Sequence, residues 1–287
     1  MELQDRLEEL TRSGIGVAAI SYDSQDILAN FAEERGITFP LLSDVDSAVI
    51  KAYGILNTVG IAASGPDKDD PDVIADVHKF VGVGGMFPEV VGTPFPGTFM
   101  VGYDGRVESR FFEEFYRDRN TTANVMLQLG IGLSPVNAIE GSNNQLDFTA
   151  YPSNNTVSAG ARFSIAIKVR PKPGMHVYAP GAEKMRYRVT GLNLDPHPSV
   201  RYEPVAYPES EIYYFEPLDE HVPVYKHAFM LLQEVFVLAS NEAEAELAKL
   251  DALTLTGTFN YQACDDEICY NPESVPLSFT IDLAEHD

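Results

Sequence analysis

The stretch "LTLTGTFNYQACDDEICYNPESVPLSFTI" (253–281) decides how the second half of this 287-residue chain folds. Two runs of alternating apolar and polar residues flank a short acidic segment, the pattern of two strands joined across a tight connection. The chain has two cysteines, and both lie in that connection, Cys264 and Cys269, with four residues between them. Directly opposed residues on such a hairpin have Cα atoms about 4.5–5.5 Å apart, within reach of a disulfide.

Three chemistries compete for the pair. Zinc wants four ligands in paired sets. Here there is one pair, and the plausible complements, His221 and His227, lie far off and not at ligand-pair spacing. A structural disulfide is easy to form, but a six-residue loop yields only about 2 kcal/mol by the chain-entropy relation. A redox couple uses the same geometry and opens without moving either strand. Asp265, Asp266 and Glu267 would disfavour a thiolate and raise both thiol pKa values, leaving the pair a poor nucleophile until a partner docks. Taken alone, the residues leave staple and redox couple both open.

Working outward, "LDFTAYP", "ARFSIAIKVRP", "MHVYAP", "KMRYRVTG", "HAFMLLQEVFVLA", "LTLTGTFNYQA" and "VPLSFTID" read as strands separated by turn residues. About seven short strands in ~140 residues fit an all-β, immunoglobulin-like sandwich. Only "NEAEAELAKL" (241–250) reads as a helix there. Residues 1–130 have α/β grammar instead. "GVAAIS" (16–21) fits a buried strand, Ser24 a helix cap with Gly36 as the stop, and "FPLLSD" (39–44) a turn or short strand. "GTFMVGYDGRVESRFF" (97–112) reads as two strands turning at Asp104–Gly105, and "TTANVMLQLG" (121–130) as a helix capped by Thr121 or Thr122. The expected domains are 1–132, a polar linker at 133–145, and 146–287. Residues 57–92, rich in Gly, Pro and Asp, read as an insertion or mobile loop.

Composition narrows the partners. Twenty basic residues against 43 acidic ones give a net charge of −23, which repels nucleic-acid backbones and anionic lipid. No run approaches the ~20 apolar residues of a membrane span. "MELQDRLEELTRSG" lacks the apolar core of a signal peptide and reads as an amphipathic helix stopped at Gly14.

Two resemblances sharpen this. "YQACDDEICYNPESVPLSFTI", with "PKPGMHVYAPG" (171–181) and "YPESEIYYFEPLDEHVPVYKHAFML" (207–231), resembles the periplasmic amino-terminal domain of the DsbD thiol–disulfide interchange family, over most of 145–283. The resemblance implies an immunoglobulin-like sandwich and a thioredoxin-fold redox partner, and it implies no cofactor. Cys269 would be the exchanging thiol and Cys264 its resolving partner. Tyr178 would be a shielding aromatic, and Ile212 and Tyr213 would lie in a cap over the pair. It also points to the periplasm, although no export signal is visible.

Residues 1–130 resemble the AhpC/TSA redoxins, the peroxiredoxin branch of the thioredoxin fold, through "VAAISYDSQDILANFAEERGITFPLLSD", "AYGI" and "PFPGTFMVGYDGRV". In that family the reactive cysteine opens the helix just upstream of a stretch like "ELQDRLEEL". The resemblance therefore implies a redoxin without its active-site segment, with Met1 an internal methionine of a longer parent, and no peroxidase activity from these residues. Pro96 matches the cis-proline of thioredoxin folds. The sheet is expected to be gapped, or repaired by 57–92. The competing reading is a non-catalytic interaction protein, with a degenerate redoxin half and a stapled sandwich.

Overall fold

The computed structural model describes residues 2–82, 93–112, 119–133, 135 and 137–284. The chain divides into two compact units, Met1–Ile131 with Ala239–Glu242 and Gly132–Leu238 with Ala243–Asp287.

The first unit runs α1 (Glu2–Asp5), α2 (Leu7–Arg12), β1 (Ala19–Ser21), α3 (Gln25–Arg35), β2 (Leu41–Ser43), α4 (Ala48–Ala52), α5 (Val59–Ser64), α6 (Pro71–Gly82), β3 (Gly97–Val101), β4 (Val107–Phe112), β5 (Arg119–Asn120) and α7 (Thr122–Gln128). Local signals place most of these. The Ser24 side chain accepts from the Ile27 amide at the start of α3, and Gly36 ends that helix with φ +63°. Thr121 caps α7 in the same way, accepting from Asn124 N. The carboxylate of Glu2 adds to that end, accepting from the amides of Thr122 and Ala123 at 2.9 and 3.1 Å. The amphipathic N-terminal helix is broken into two short pieces at Arg6.

Strands β1 and β2 pair in parallel, β3 and β4 antiparallel, and the two pairs do not join among the described residues. Of the expected repair segment, 57–82 forms α5 and α6 rather than a strand, and 83–92 lies outside the described residues. The ends of that excursion are tied together: Asn57 N donates to Thr93 O and Phe95 N to Ile55 O. The expectation of a cis bond at Pro96 is corrected, since no described peptide is cis. The trans form is the intrinsically favoured one. Here it carries the chain on from the Leu56–Pro94 bridge into β3, with which Gly97 opens its pairing to Phe112.

The second unit is β-rich: β6 (Ile139–Ser142), β7 (Leu146–Pro152), β8 (Thr156–Val157), β9 (Ala161–Pro171), β10 (His176–Tyr178), β11 (Gly191–Leu194), β12 (Val200–Tyr202), β13 (Glu211–Phe215), β14 (Glu220–Tyr225), β15 (Phe229–Val237), the helix α8 (Asn241–Leu247), β16 (Ala252–Tyr261), β17 (Ala263–Cys264) and β18 (Glu273–Leu283). One sheet has the order β12-β15-β9-β7-β6 and a second β11-β16-β18-β8. Phe148 of β7 meets Phe259 of β16 with ring centroids 5.1 Å apart, so the two sheets face each other across an apolar core. Alternate residues of β9 (Phe163, Ile165, Ile167) and of β16 (Leu253, Leu255, Phe259) are buried in that core. A third sheet, β13-β14-β10-β17, carries the cysteine hairpin. "KMRYRVTG" is not a strand along its length. Ala182–Met185 winds into a 3-10 turn, and regular pairing starts only at Gly191.

The units differ in how much apolar surface they hide. The described part of the first buries Leu10, Leu28, Phe39, Ile50, Met126 and Leu127, while Ile20, Ile27, Phe31, Leu42, Val45 and Val49 stay exposed. Each fully buried side chain of this size contributes about 1.5–3 kcal/mol. Among the described residues the second unit buries the larger set of apolar side chains, and it is expected to be the more stable half. Limited proteolysis is expected to cut within 1–131 before 146–284, and an early cut inside the sandwich would contradict this.

Candidate functional site

The site forms where one hairpin changes sheets. Strands β16 and β18 pair from Ala252–Asp282 to Tyr261–Glu273. Past Tyr261 the chain leaves that sheet, and β17 pairs with β10 instead, Cys264 opposite His176 and Ala263 opposite Val177. The crossing is pinned by Gln262, whose side chain accepts from Arg188 N and donates to Tyr270 O. Cys264 and Cys269 then face each other across an antiparallel bridge and are joined by a disulfide, with Cα atoms 4.2 Å apart.

The two sulfurs have different surroundings. Cys264 is 1% exposed, in an apolar cluster with Tyr178, Ala182, Val222 and Val224, whereas Cys269 is exposed. The turn between them is closed by Asp265 N donating to Ile268 O and by Tyr270 N donating to Ala263 O. Asp265 folds its carboxylate back onto this turn. One oxygen accepts from the amides of Glu267 and Ile268 at 2.8 and 2.6 Å, and the other from the Tyr270 hydroxyl at 3.0 Å. Those amide bonds hold the Asp265 carboxyl below its usual range. In the sequence Asp265 is one of three adjacent charges, and its signal is that of an Asx-type turn, an aspartate whose carboxylate reaches the amides two and three residues on.

Tyr178 touches both sulfurs, its hydroxyl 2.9 Å from Cys264 Sγ and 3.2 Å from Cys269 Sγ. A disulfide sulfur carries no hydrogen, so the hydroxyl is the donor. Its ring stacks on Tyr187, centroids 4.3 Å apart, and the Tyr187 hydroxyl donates to Glu220 at 2.7 Å. Burial above all, then Tyr187, Glu220 and Tyr213, holds Tyr178 far above the usual phenol pKa, so it keeps its proton. Burial, followed by the Glu220 hydrogen bond and charge, pushes Tyr187 up to about 12.

Of the two cap candidates, Tyr213 lines the cleft at the disulfide and Ile212 does not. Tyr213 lines the cleft over the disulfide with His176, Tyr187 and Phe215. Its ring lies 4.7 Å from that of His176, its hydroxyl donates to Asp266 at 3.0 Å, and the Lys226 ammonium sits 4.4 Å from its ring centre. Strand pleating sends Ile212 to the opposite face of β13, where it is 64% exposed. His176 is 3% exposed, and its pKa is lowered, first by burial and then by Lys226, against the opposing pull of Asp266 and Asp265. It was missed in the sequence because a histidine inside "MHVYAP" carries no spacing signal. His221 and His227 are engaged elsewhere, His221 stacked on Tyr214 and His227 3.8 Å from Glu211. Pro96 belongs to the other unit.

Comparison with known proteins bears on both halves. Residues 1–110 match the AhpC/TSA family, and residues 148–279 match the family described as thiol:disulfide interchange protein DsbD, N-terminal. A putative peroxiredoxin of Mycobacterium tuberculosis is 43% identical over 53 residues, 18% of this chain and 34% of its own length. The peroxiredoxin Bcp of Escherichia coli K12 is 40% identical over the same length of alignment, with the same shares. A putative peroxiredoxin of Coxiella burnetii is 33% identical over 97 residues, 31% of this chain and 64% of its own. The chain thus spans about a third of the length of the first of these relatives. The crystal structure of the N-terminal periplasmic domain of ScsB from Proteus mirabilis aligns with 14% identity and a TM-score of 0.33, over 51% of this chain and 50% of that one. An AhpC/TSA peroxiredoxin-like domain over residues 1–110 is joined in this chain to a DsbD N-terminal domain over residues 148–279, which carries the Cys264–Cys269 disulfide.

Proposed function

We propose that this protein carries out thiol–disulfide exchange at Cys264–Cys269 with a thioredoxin-fold partner. The observation that carries the reading is the inequality of the two sulfurs: Cys269 is open to solvent, while Cys264 is buried against the Tyr178 hydroxyl. A partner thiolate reaches the Cys269 sulfur, forms a mixed disulfide with it, and expels Cys264 as a thiolate. The partner's second thiol then attacks its own sulfur in the mixed disulfide and frees Cys269. Two electrons have passed from the partner dithiol to this pair. Run backwards, Cys269 attacks an oxidised partner and Cys264 resolves the intermediate.

A thiolate on Cys264 would be costly in its apolar cluster. Tyr178, protonated and already aimed at that sulfur, stabilises the charge as it forms. Tyr213, held by its Asp266 bond, lines the cleft at the pair, where a docked protein meets its ring beside the open Cys269 sulfur. The net charge of −23 and the exposed Asp266 and Glu267 favour a partner with a basic rim.

Three outcomes are expected. With a thioredoxin-fold partner, Cys264→Ala accumulates the mixed disulfide and Cys269→Ala gives none; equal trapping by both would reverse the assignment of roles. Tyr178→Phe keeps the fold but slows exchange by about tenfold or more, since a hydrogen bond to a charged group contributes about 1.5–3 kcal/mol. An unchanged rate would remove Tyr178 from the chemistry. The reduction potential of the pair lies above about −300 mV, the region below which structural disulfides cluster.

A further inference from the structure

The geometry points to Asp265 as the residue that positions Cys269 and sets the redox equilibrium of the pair. This rests on the exchange reading for its consequence, but on the turn alone for its cause. Four residues separate the cysteines, and in a free chain they would sample many conformations once the sulfur–sulfur bond opened. Here the Asp265 carboxylate brackets Cys269, accepting from the amide of Ile268 on one side and from the hydroxyl of Tyr270 on the other. A third bond, from the Glu267 amide, closes the middle of the turn. None of these contacts passes through a sulfur, so the scaffold persists in the dithiol form and keeps the Cys269 thiol facing Cys264.

Holding two reacting groups together raises their effective concentration, and for a dithiol this favours the disulfide. In the balanced reaction the protein dithiol and glutathione disulfide give the protein disulfide and two glutathione thiols. Two electrons and two protons leave the pair. The better the thiols are held, the further this lies to the protein disulfide and the lower the pair's potential.

The charge of Asp265 offers a rival account, in which it acts by opposing a thiolate nearby. Asp265→Asn separates the two, because the amide oxygen still accepts from the Glu267 and Ile268 amides while the charge is gone. The full chain is equilibrated in glutathione buffers of graded ratio, quenched with acid, and its thiols counted by maleimide gel shift. For Asp265→Ala, the effective concentration is expected to fall about tenfold, a rise of about 30 mV in potential for a two-electron couple. Asp265→Asn is expected to stay within about threefold of the parent, having kept two neutral hydrogen bonds. Tyr270→Phe, which removes one contact, is expected to shift the same way by less.

An unchanged equilibrium in Asp265→Ala overturns the proposal, as does a shift in Asp265→Asn as large as that in Asp265→Ala. Should Asp265→Ala fail to fold in a thermal melt, Tyr270→Phe decides: a shift toward the dithiol supports the positioning role, and no shift overturns it. Glutathione needs no protein docking surface, so the outcome is separate from that of partner trapping. Loss of trapping with these shifts intact removes the exchange reading alone.

Discussion

The backbone pairing of Cys264 with His176 is the constraint on which the site depends. It takes the tip of the long β16–β18 hairpin out of one sheet and fastens it to another. Cys264 is thereby fixed by main-chain hydrogen bonds on a strand that cannot slide without turning its side chain to the other face. Its sulfur is driven into the cluster of Tyr178, Val222 and Val224, while Cys269, one turn later, rides on the surface. The difference between the two cysteines is therefore a property of sheet register, settled before any acid or base near them is considered.

Within that frame the neighbours divide the work. Three acidic side chains follow Cys264 in sequence, and a reading by charge alone treats them as equivalent. In space they are not. Asp265 is spent on the turn, Asp266 on the Tyr213 hydroxyl, and Glu267 remains exposed. The hydroxyl that meets both sulfurs is the Tyr178 phenol. A protonated phenol donates to a developing thiolate without presenting a competing charge, which suits a buried leaving group better than a carboxylate would.

What could be read from the sequence follows the range of the forces involved. Ser24, Gly36, Thr121 and the Asp104–Gly105 turn act within four residues of themselves, and each did what its local chemistry dictates. The long strands β7, β9, β15, β16 and β18 were legible from their apolar runs; β18 and the first part of β16 alternate cleanly, while the middle of β9 and the end of β15 are buried on both faces. The stretch "KMRYRVTG" has a similar pattern, but its first two residues belong to a short 3-10 turn that opens at Ala182, a residue buried in the cysteine cluster. The hairpin β13–β14, which carries Tyr213, is not among the expected strands, since "EIYYF" shows no clear period in the sequence; the resemblance placed only Ile212 and Tyr213, in a cap. The cis expectation at Pro96 came from resemblance too, and the local backbone, tied to Ile55 on one side and to Phe112 on the other, runs through it trans.

The magnitudes also weigh on staple against exchange. The bond closes a loop of six residues, for which the chain-entropy relation gives about 2 kcal/mol. That loop is already closed by two main-chain hydrogen bonds and by the Asp265 carboxylate. Ten register pairs join β16 to β18 without it, and the facing core of Phe148, Phe163 and Phe259 lies in the other sheets. Opening the bond thus removes a small constraint from a segment that is held by other means. A fold organised in this way does not lean on the bond, which the exchange proposed above requires and a staple does not.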